Sequence, residues 1–369
     1  MPFATIPEVL QALKERRMVV LVDDEDRENE GDLVMAAEYA DAPAVAFMAT
    51  KGCGLICLAM EGELIDRLGL PLMTRDNRSR LATAFTVSIE AREGVTTGIS
   101  AADRARTIQV AIDPTAGPQD LVTPGHVFPL RARDGGVLVR PGHSEASVDL
   151  CRLAGLRKAA VICEIMRPDG EMARVPDLER YCAEHGLLLA TIADLIAYRE
   201  CTETSVVLAA EATVPTAAGD FRGFLYRNTL TGEHHLALVN HAQLGAGREL
   251  ADPVLVRVQK EHLLGDVFGL PGRRLPLDGL TQLQAEGGVF LYMRDNRNLP
   301  EHLLALGGRD HRANVIPELP MDPRDYGVGA QILHHLGVRR MRLITGSDRH
   351  LSALSGYGLT VVERVAPTA

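Results

Sequence analysis

Ten consecutive residues, Asp23-Asp24-Glu25-Asp26-Arg27-Glu28-Asn29-Glu30-Gly31-Asp32, place seven carboxylates beside one arginine. Acids packed this closely repel one another, so a fold keeps such a run where water solvates it or a cation neutralises part of it. A solvated acidic loop has the same composition. The setting favours more, because the apolar Met18 to Val22 precedes the run and Leu33 to Ala37 follows at once, with Gly31 adding backbone freedom.

Two glycine-histidine pairs offer imidazoles in stiff surroundings. Pro124-Gly125-His126-Val127-Phe128-Pro129 sets one between prolines. Arg140-Pro141-Gly142-His143-Ser144-Glu145-Ala146 sets the other just before an apparent helix starting near Glu145. Arg140, the backbone N–H groups of that helix start and the Ser144 hydroxyl would form an anion site suited to phosphate. Singly, each motif is also what a turn with a satisfied imidazole, or a solvated arginine, looks like; their joint presence favours chemistry. Glu164 follows the apolar Ala160 to Cys163, where burial raises a carboxyl pKa and suits it to proton transfer, although strand alternation also permits it to face outward. Val95 to Arg104 combines hydroxyls, a glycine and a helix start, which capping explains nearly as well as ligand binding.

The elements that must position these groups read as mixed α and β. The pattern predicts a helix over Ile6 to Lys14, a strand over Met18 to Val22, strands over Gly54 to Leu58 and Ala84 to Ile89, and helices over Ala44 to Ala49 and Ala101 to Ala111. A strand over Ala159 to Ile165 precedes the turn Arg167-Pro168-Asp169-Gly170 and helices over Asp177 to His185 and Ile192 to Arg199. Glu200 to Glu203 reads as a linker. Strands over Ala212 to Leu225 and His235 to Val239, then helices near Ala330 to Leu336 and Arg349 to Ser355, build a second sheet domain. No internal repeat is visible.

At 369 residues the chain exceeds the usual size of one core. A formal charge of -10 disfavours nucleic-acid binding, and neither a ~20-residue apolar span nor a signal pattern is present, so no membrane association and a cytoplasmic location are expected. The six cysteines lie at or before Cys201 without a Cys-x-x-Cys pair, which fits reduced thiols.

Taken together, DDEDRENEGD, FTVSIEAREGVTTGISAADR, PGHVFPLRARDGGVL, RPGHSEASVDL and the Cys163-Glu164 strand resemble the 3,4-dihydroxy-2-butanone 4-phosphate synthase family over roughly residues 5 to 200. The resemblance implies conversion of D-ribulose 5-phosphate to L-3,4-dihydroxy-2-butanone 4-phosphate and formate, in riboflavin biosynthesis, by a homodimer using magnesium. Carried over, Glu28 and His143 are the metal ligands, and the imidazole leaves room for manganese. Arg27 and Asp32 contact the sugar hydroxyls. Arg140, Pro141, Gly142, His143 and Ser144, with Thr97, hold the phosphate, and His126 and Glu164 form the catalytic pair, with Glu164 also touching substrate. Ser144 replaces the family's usual threonine and keeps the hydroxyl, while Pro141 stiffens the turn.

From about residue 205 the chain resembles GTP cyclohydrolase II, in Arg257 to Gly269, Leu291 to Asn298 and Val361 to Val365. That family's three zinc cysteines have no counterpart here: the matching stretches read Gln259-Lys260-Glu261-His262 and Gly272-Arg273-Arg274-Leu275-Pro276. One imidazole cannot replace three thiolates, so no zinc is expected. Asp322-Pro323-Arg324-Asp325 keeps the spacing of the family's base and nucleophile. The expected fold is α+β, with a synthase domain over residues 1–203 and an αβα, catalytically inactive cyclohydrolase-like domain over residues 204–369. The alternatives are a bifunctional enzyme that also hydrolyses GTP, and a C-terminal binding or assembly module.

Overall fold

The computed structural model describes residues 3–245, 249–250, 252–268, 276–294, 323–345 and 358–367. The chain divides into two compact units, Met1–Arg199 and Glu200–Ala369, each with its own sheet, of seven strands among the described residues.

In the first unit the strands are β1 (Val19–Val22), β2 (Gly31–Ala36), β3 (Cys57–Met60), β4 (Ile89–Ala91), β5 (Leu121–Arg131), β6 (Ala159–Glu164) and β7 (Leu188–Thr191), in the order β4-β5-β3-β6-β2-β1-β7. All four β1 residues are buried, because helices cover both faces of the sheet and remove the need for polar alternation. Val20, Val22, Leu33 and Met35 pack with Val45, Ile108 and Leu178 of α2 (Ala42–Phe47), α4 (Ala101–Ile112) and α6 (Val175–His185); α3 is Gly62–Arg67. Val19, Leu21, Val34 and Ala36 face the other way, against Val9, Leu150 and Leu195 of α1 (Ile6–Lys14), α5 (His143–Leu153) and α7 (Ile192–Thr202). Each of the valine, leucine, isoleucine and methionine side chains contributes about 1.5–3 kcal/mol when fully buried.

The second unit orders β14-β13-β11-β12-β10-β9-β8, from β8 (Val206–Thr216), β9 (Gly219–Asn228), β10 (His234–Asn240), β11 (Val254–Lys260), β12 (Gly288–Met293), β13 (Arg340–Ile344) and β14 (Thr360–Val365). Strands β11 to β14 pair in parallel and β8, β9, β10 and β12 antiparallel, with α8 (Leu263–Phe268), α9 (Pro276–Glu286) and α10 (Pro323–His335) between them in sequence.

Several element limits differ from the sequence pattern. The expected strand over Ala84 to Ile89 becomes a continuous strand only at Ile89; before it, Phe85 makes an isolated antiparallel bridge to Leu130 of β5, and Thr86 N–H bonds the Pro129 carbonyl at 3.0 Å. The expected strand at Gly54 starts at Cys57, because the amides of Gly54 and Leu55 turn to Glu164 instead. Glu200 to Glu203 is not a free linker: α7 runs on through Thr202, and buried Arg199 pairs with Asp149 at 2.7 Å. Ala212 to Leu225 is two strands, broken where the Thr216 hydroxyl bonds Ala218 N and Gly219 O and Gly219 takes φ +124°. The helix expected over Arg349 to Ser355 lies outside the described residues.

Candidate active site

Strand β1 delivers the acidic run to the edge of the core, and its first acid organises the rest. Asp23 is buried and accepts the amides of Glu28 (3.1 Å) and Glu30 (2.9 Å) and an Arg27 N–H (2.7 Å). Arg174 donates to the carbonyls of Glu28 and Asn29, so the loop closes as a tight cap over α6. Gly31 is required for a reason the sequence did not give. Its φ is ordinary, but any Cβ there would meet Leu178 Cδ2 at 2.7 Å, so it lets α6 approach the strand.

The cap aims Glu28 inward, where Arg27 Nη1 bonds its carboxylate and His143 Nδ1 lies 3.6 Å away. Asp32, next on β2, lies 3.9 Å from His143 Nε2. Burial opposes the charge on Glu28, but His143 and Arg27 outweigh it and hold the carboxyl at about 2. Burial pushes Asp32 up to about 7, with His143 pulling the other way and Glu164 and Glu28 adding to the rise. Burial also works against the His143 imidazolium, but Asp32, Glu28 and Asp23 overcome it and raise the ring to about 9.

Donor atoms of Asp23, Glu28 and His143 lie within 4.8 Å of one another, and among the described residues His143 Nε2 is buried without a hydrogen-bond partner. An oxygen-rich donor set with one imidazole suits a small divalent cation. Asp23 is the member that residue reading missed; its only signal was its place as the first acid after the strand.

Helix α5 begins at His143, with Gly142 as its N-cap. A Cβ on Gly142 would collide with Arg140 Nη1 and meet Arg27 Nη2 at 3.0 Å, so two guanidinium groups converge over a helix N-terminus. That arrangement favours an anion. Arg140 is held there by Glu145 (2.6 Å), Leu81 O (3.1 Å) and Thr83 Oγ1 (3.0 Å), while Ser144 is buried in the first turn and Pro141 is exposed.

Glu164 ends β6 directly opposite Asp32 on β2. It is half-buried rather than enclosed, and Leu55 N donates to its Oε2 at 2.8 Å. His126 lies on β5, which β3 separates from β6, the strand that Glu164 ends. It occupies a bulge in which residues 123–126 loop out between the pairs Ile89↔Val127 and Glu90↔Val122. A side chain on Gly125 would collide with Ile89 O, which explains the glycine. His126 Nδ1 meets Glu90 Oε2 at 2.6 Å. Exposed Thr97 sits in the neighbouring loop, where Asp103 holds Thr96 and Gly98. Within one chain, Arg27, Glu28, Asp32, Arg140, Gly142 and His143 therefore come together with Glu164 beside them, while His126 pairs with Glu90 on the β4–β5 side of the sheet, next to the loop of Thr97.

In the second unit, buried His262 accepts Gly265 N through Nδ1 (3.0 Å). Asp266 gathers His262 N, Gln259 and Tyr292 at 2.8 to 3.0 Å. This knot fixes the start of α8. Gly272 to Leu275, Asp322 and the side chains of Pro323 to Asp325 lie outside the described residues.

The family model described as 3,4-dihydroxy-2-butanone 4-phosphate synthase matches residues 7–198, and that described as GTP cyclohydrolase II matches residues 207–366. The riboflavin biosynthesis protein RibBA of Salinispora arenicola is 52% identical over 98% of this chain and 88% of its own length. A crystal structure of RibBX from A. baumannii, described as a two domain 3,4-dihydroxy-2-butanone 4-phosphate synthase, is 39% identical and covers 99% of this chain and 100% of that one, with a TM-score of 0.78. A 3,4-dihydroxy-2-butanone 4-phosphate synthase in complex with two magnesium ions is 44% identical over 55% of this chain and 99% of its own, with a TM-score of 0.53. The chain belongs to the 3,4-dihydroxy-2-butanone 4-phosphate synthase family of riboflavin biosynthesis, with a GTP cyclohydrolase II domain joined behind the synthase domain.

Proposed function

We propose that the first unit takes D-ribulose 5-phosphate to L-3,4-dihydroxy-2-butanone 4-phosphate and formate, and that the second unit does not hydrolyse GTP. The observation that carries the first part is the convergence of Glu28, Asp32 and His143 beside the paired guanidinium groups of Arg27 and Arg140. Arg140 and the amides at the start of α5 hold the phosphate, with Ser144 and Thr97 contributing hydroxyls. Arg27 and Asp32 take the sugar hydroxyls and fix the chain of the substrate against Glu28.

Glu28 and His143 would hold magnesium, or manganese, which when bound supplies Lewis acidity to the ketone and diol oxygens. Glu164, steadied by Leu55 N, and His126 move protons during enolisation, dehydration and the skeletal shift that precedes formate loss. A homodimer whose sites draw on both subunits is the assembly of this reading, in which His126 and Thr97, on the β4–β5 side of the sheet, meet Glu28 and Glu164 of the partner subunit. The cytoplasm is where it would work.

For the second unit, the chain carries no cysteine after Cys201, so three thiolate ligands for zinc are missing. The two-domain RibBX structure, described as a 3,4-dihydroxy-2-butanone 4-phosphate synthase, is in keeping with the first part. Incubating the protein with D-ribulose 5-phosphate and magnesium, and separately with GTP and zinc, tests both parts through formate. Formate from the sugar phosphate alone is expected; formate from GTP would establish the bifunctional reading, and none from either would remove the synthase assignment.

A further inference from the structure

We propose that Glu90 is a positioning residue that fixes the tautomer of His126 and presents its Nε2 to the substrate. This rests on the reading of His126 as a proton carrier. A carboxylate only accepts, so the 2.6 Å contact between Glu90 Oε2 and His126 Nδ1 requires the proton on Nδ1. The lone pair then lies on Nε2, at the outward end of the ring: the His126 side chain is 44% exposed, whereas that of Glu90 is 15% exposed beneath it.

The carboxylate is itself held from behind. Gly98, with φ +87°, has no room for a side chain because its Cβ would collide with Glu90 Oε2. The loop carrying Gly98 is tied down by Asp103, which accepts Thr96 N (3.1 Å), Thr96 Oγ1 (2.7 Å) and Gly98 N (3.0 Å). A chain of fixed contacts thus runs from the first turn of α4 through the loop to Glu90 and on to the imidazole. In turnover Nε2 takes a proton from the substrate, the Nδ1–H bond stays intact, and the imidazolium charge forms against Glu90 until Nε2 returns the proton.

The test uses the full chain with D-ribulose 5-phosphate and magnesium. In Glu90→Gln the amide can donate to Nδ1 and favour the opposite tautomer. kcat for formate release is expected to fall about 10²-fold or more, the scale of a lost general acid or base, while KM stays within about threefold. Glu90→Asp should recover part of the rate. With ¹⁵N-labelled histidine, and His126 identified by its loss in His126→Ala, the wild type should show Nδ1 protonated and Nε2 bare, and Glu90→Gln should shift that pattern. The double variant should be no slower than His126→Ala alone. A Glu90→Gln protein with unchanged kcat and tautomer, while His126→Ala is inactive, would overturn the role of Glu90 and leave that of His126 standing. A fully active His126→Ala would overturn both.

Discussion

Burial works against the His143 imidazolium, but Asp32, Glu28 and Asp23 outweigh it and raise the ring to about 9, so a proton there would compete with any cation for the ring. The sign follows from the raised value of about 9: below it the imidazole is charged, so a cation that takes a ring nitrogen must displace a proton. Between about 7, where Asp32 ionises, and about 9, magnesium binding should therefore release close to one proton, and its apparent affinity should climb roughly tenfold per pH unit before levelling off. Calorimetric titrations at pH 8 in two buffers of different ionisation enthalpy read this directly. A binding heat independent of buffer would remove His143 from the ligand set.

The elements hold these groups through close backbone approaches as much as through side chains. Gly31 lets Leu178 of α6 press on the end of β2, one residue before Asp32. Gly31→Ala should overpack this contact and cost about 1–3 kcal/mol, read as a lowered Tm, and adding Leu178→Ala should show non-additivity by relieving the clash. Additive losses would mean the glycine acts through its backbone. At the other end of the unit, Arg199 of α7 and Asp149 of α5 form a buried pair at 2.7 Å, with Val137 N also bonded to Asp149. Arg199→Ala removes the nearest cation of a buried carboxylate and leaves it Val137 N and the more distant Arg152 (3.7 Å), for which a loss of about 3 kcal/mol, the low end of a broken buried pair, is expected in denaturant unfolding.

At the scale of the whole molecule, each unit carries its own sheet and apolar clusters, and the buried Arg199 sets where the first can be cut. A chain ending at Glu203 keeps α7 whole and should turn over D-ribulose 5-phosphate at a rate close to that of the full chain; loss of solubility or dimerisation in sedimentation would mark the second unit as an assembly module. The sequence by itself determined the family, the two-domain order, the acidic loop, both glycine-histidine motifs and the absence of thiols after Cys201, because these are local patterns of residue type and spacing. It also gave most helices, where caps and periodicity are local too. Only the tertiary structure decided that Gly31 serves a helix contact, that α7 runs through the expected linker, that Asp23 joins Glu28 and His143, and that Glu90 backs His126. Each of those depends on a residue distant in the chain: Leu178 against Gly31, Asp149 against Arg199, His143 against Asp23, and a bulge in β5 that carries His126 over Glu90. Spacing along the chain carries no trace of such pairings, since strand order and register, not sequence distance, bring the partners together.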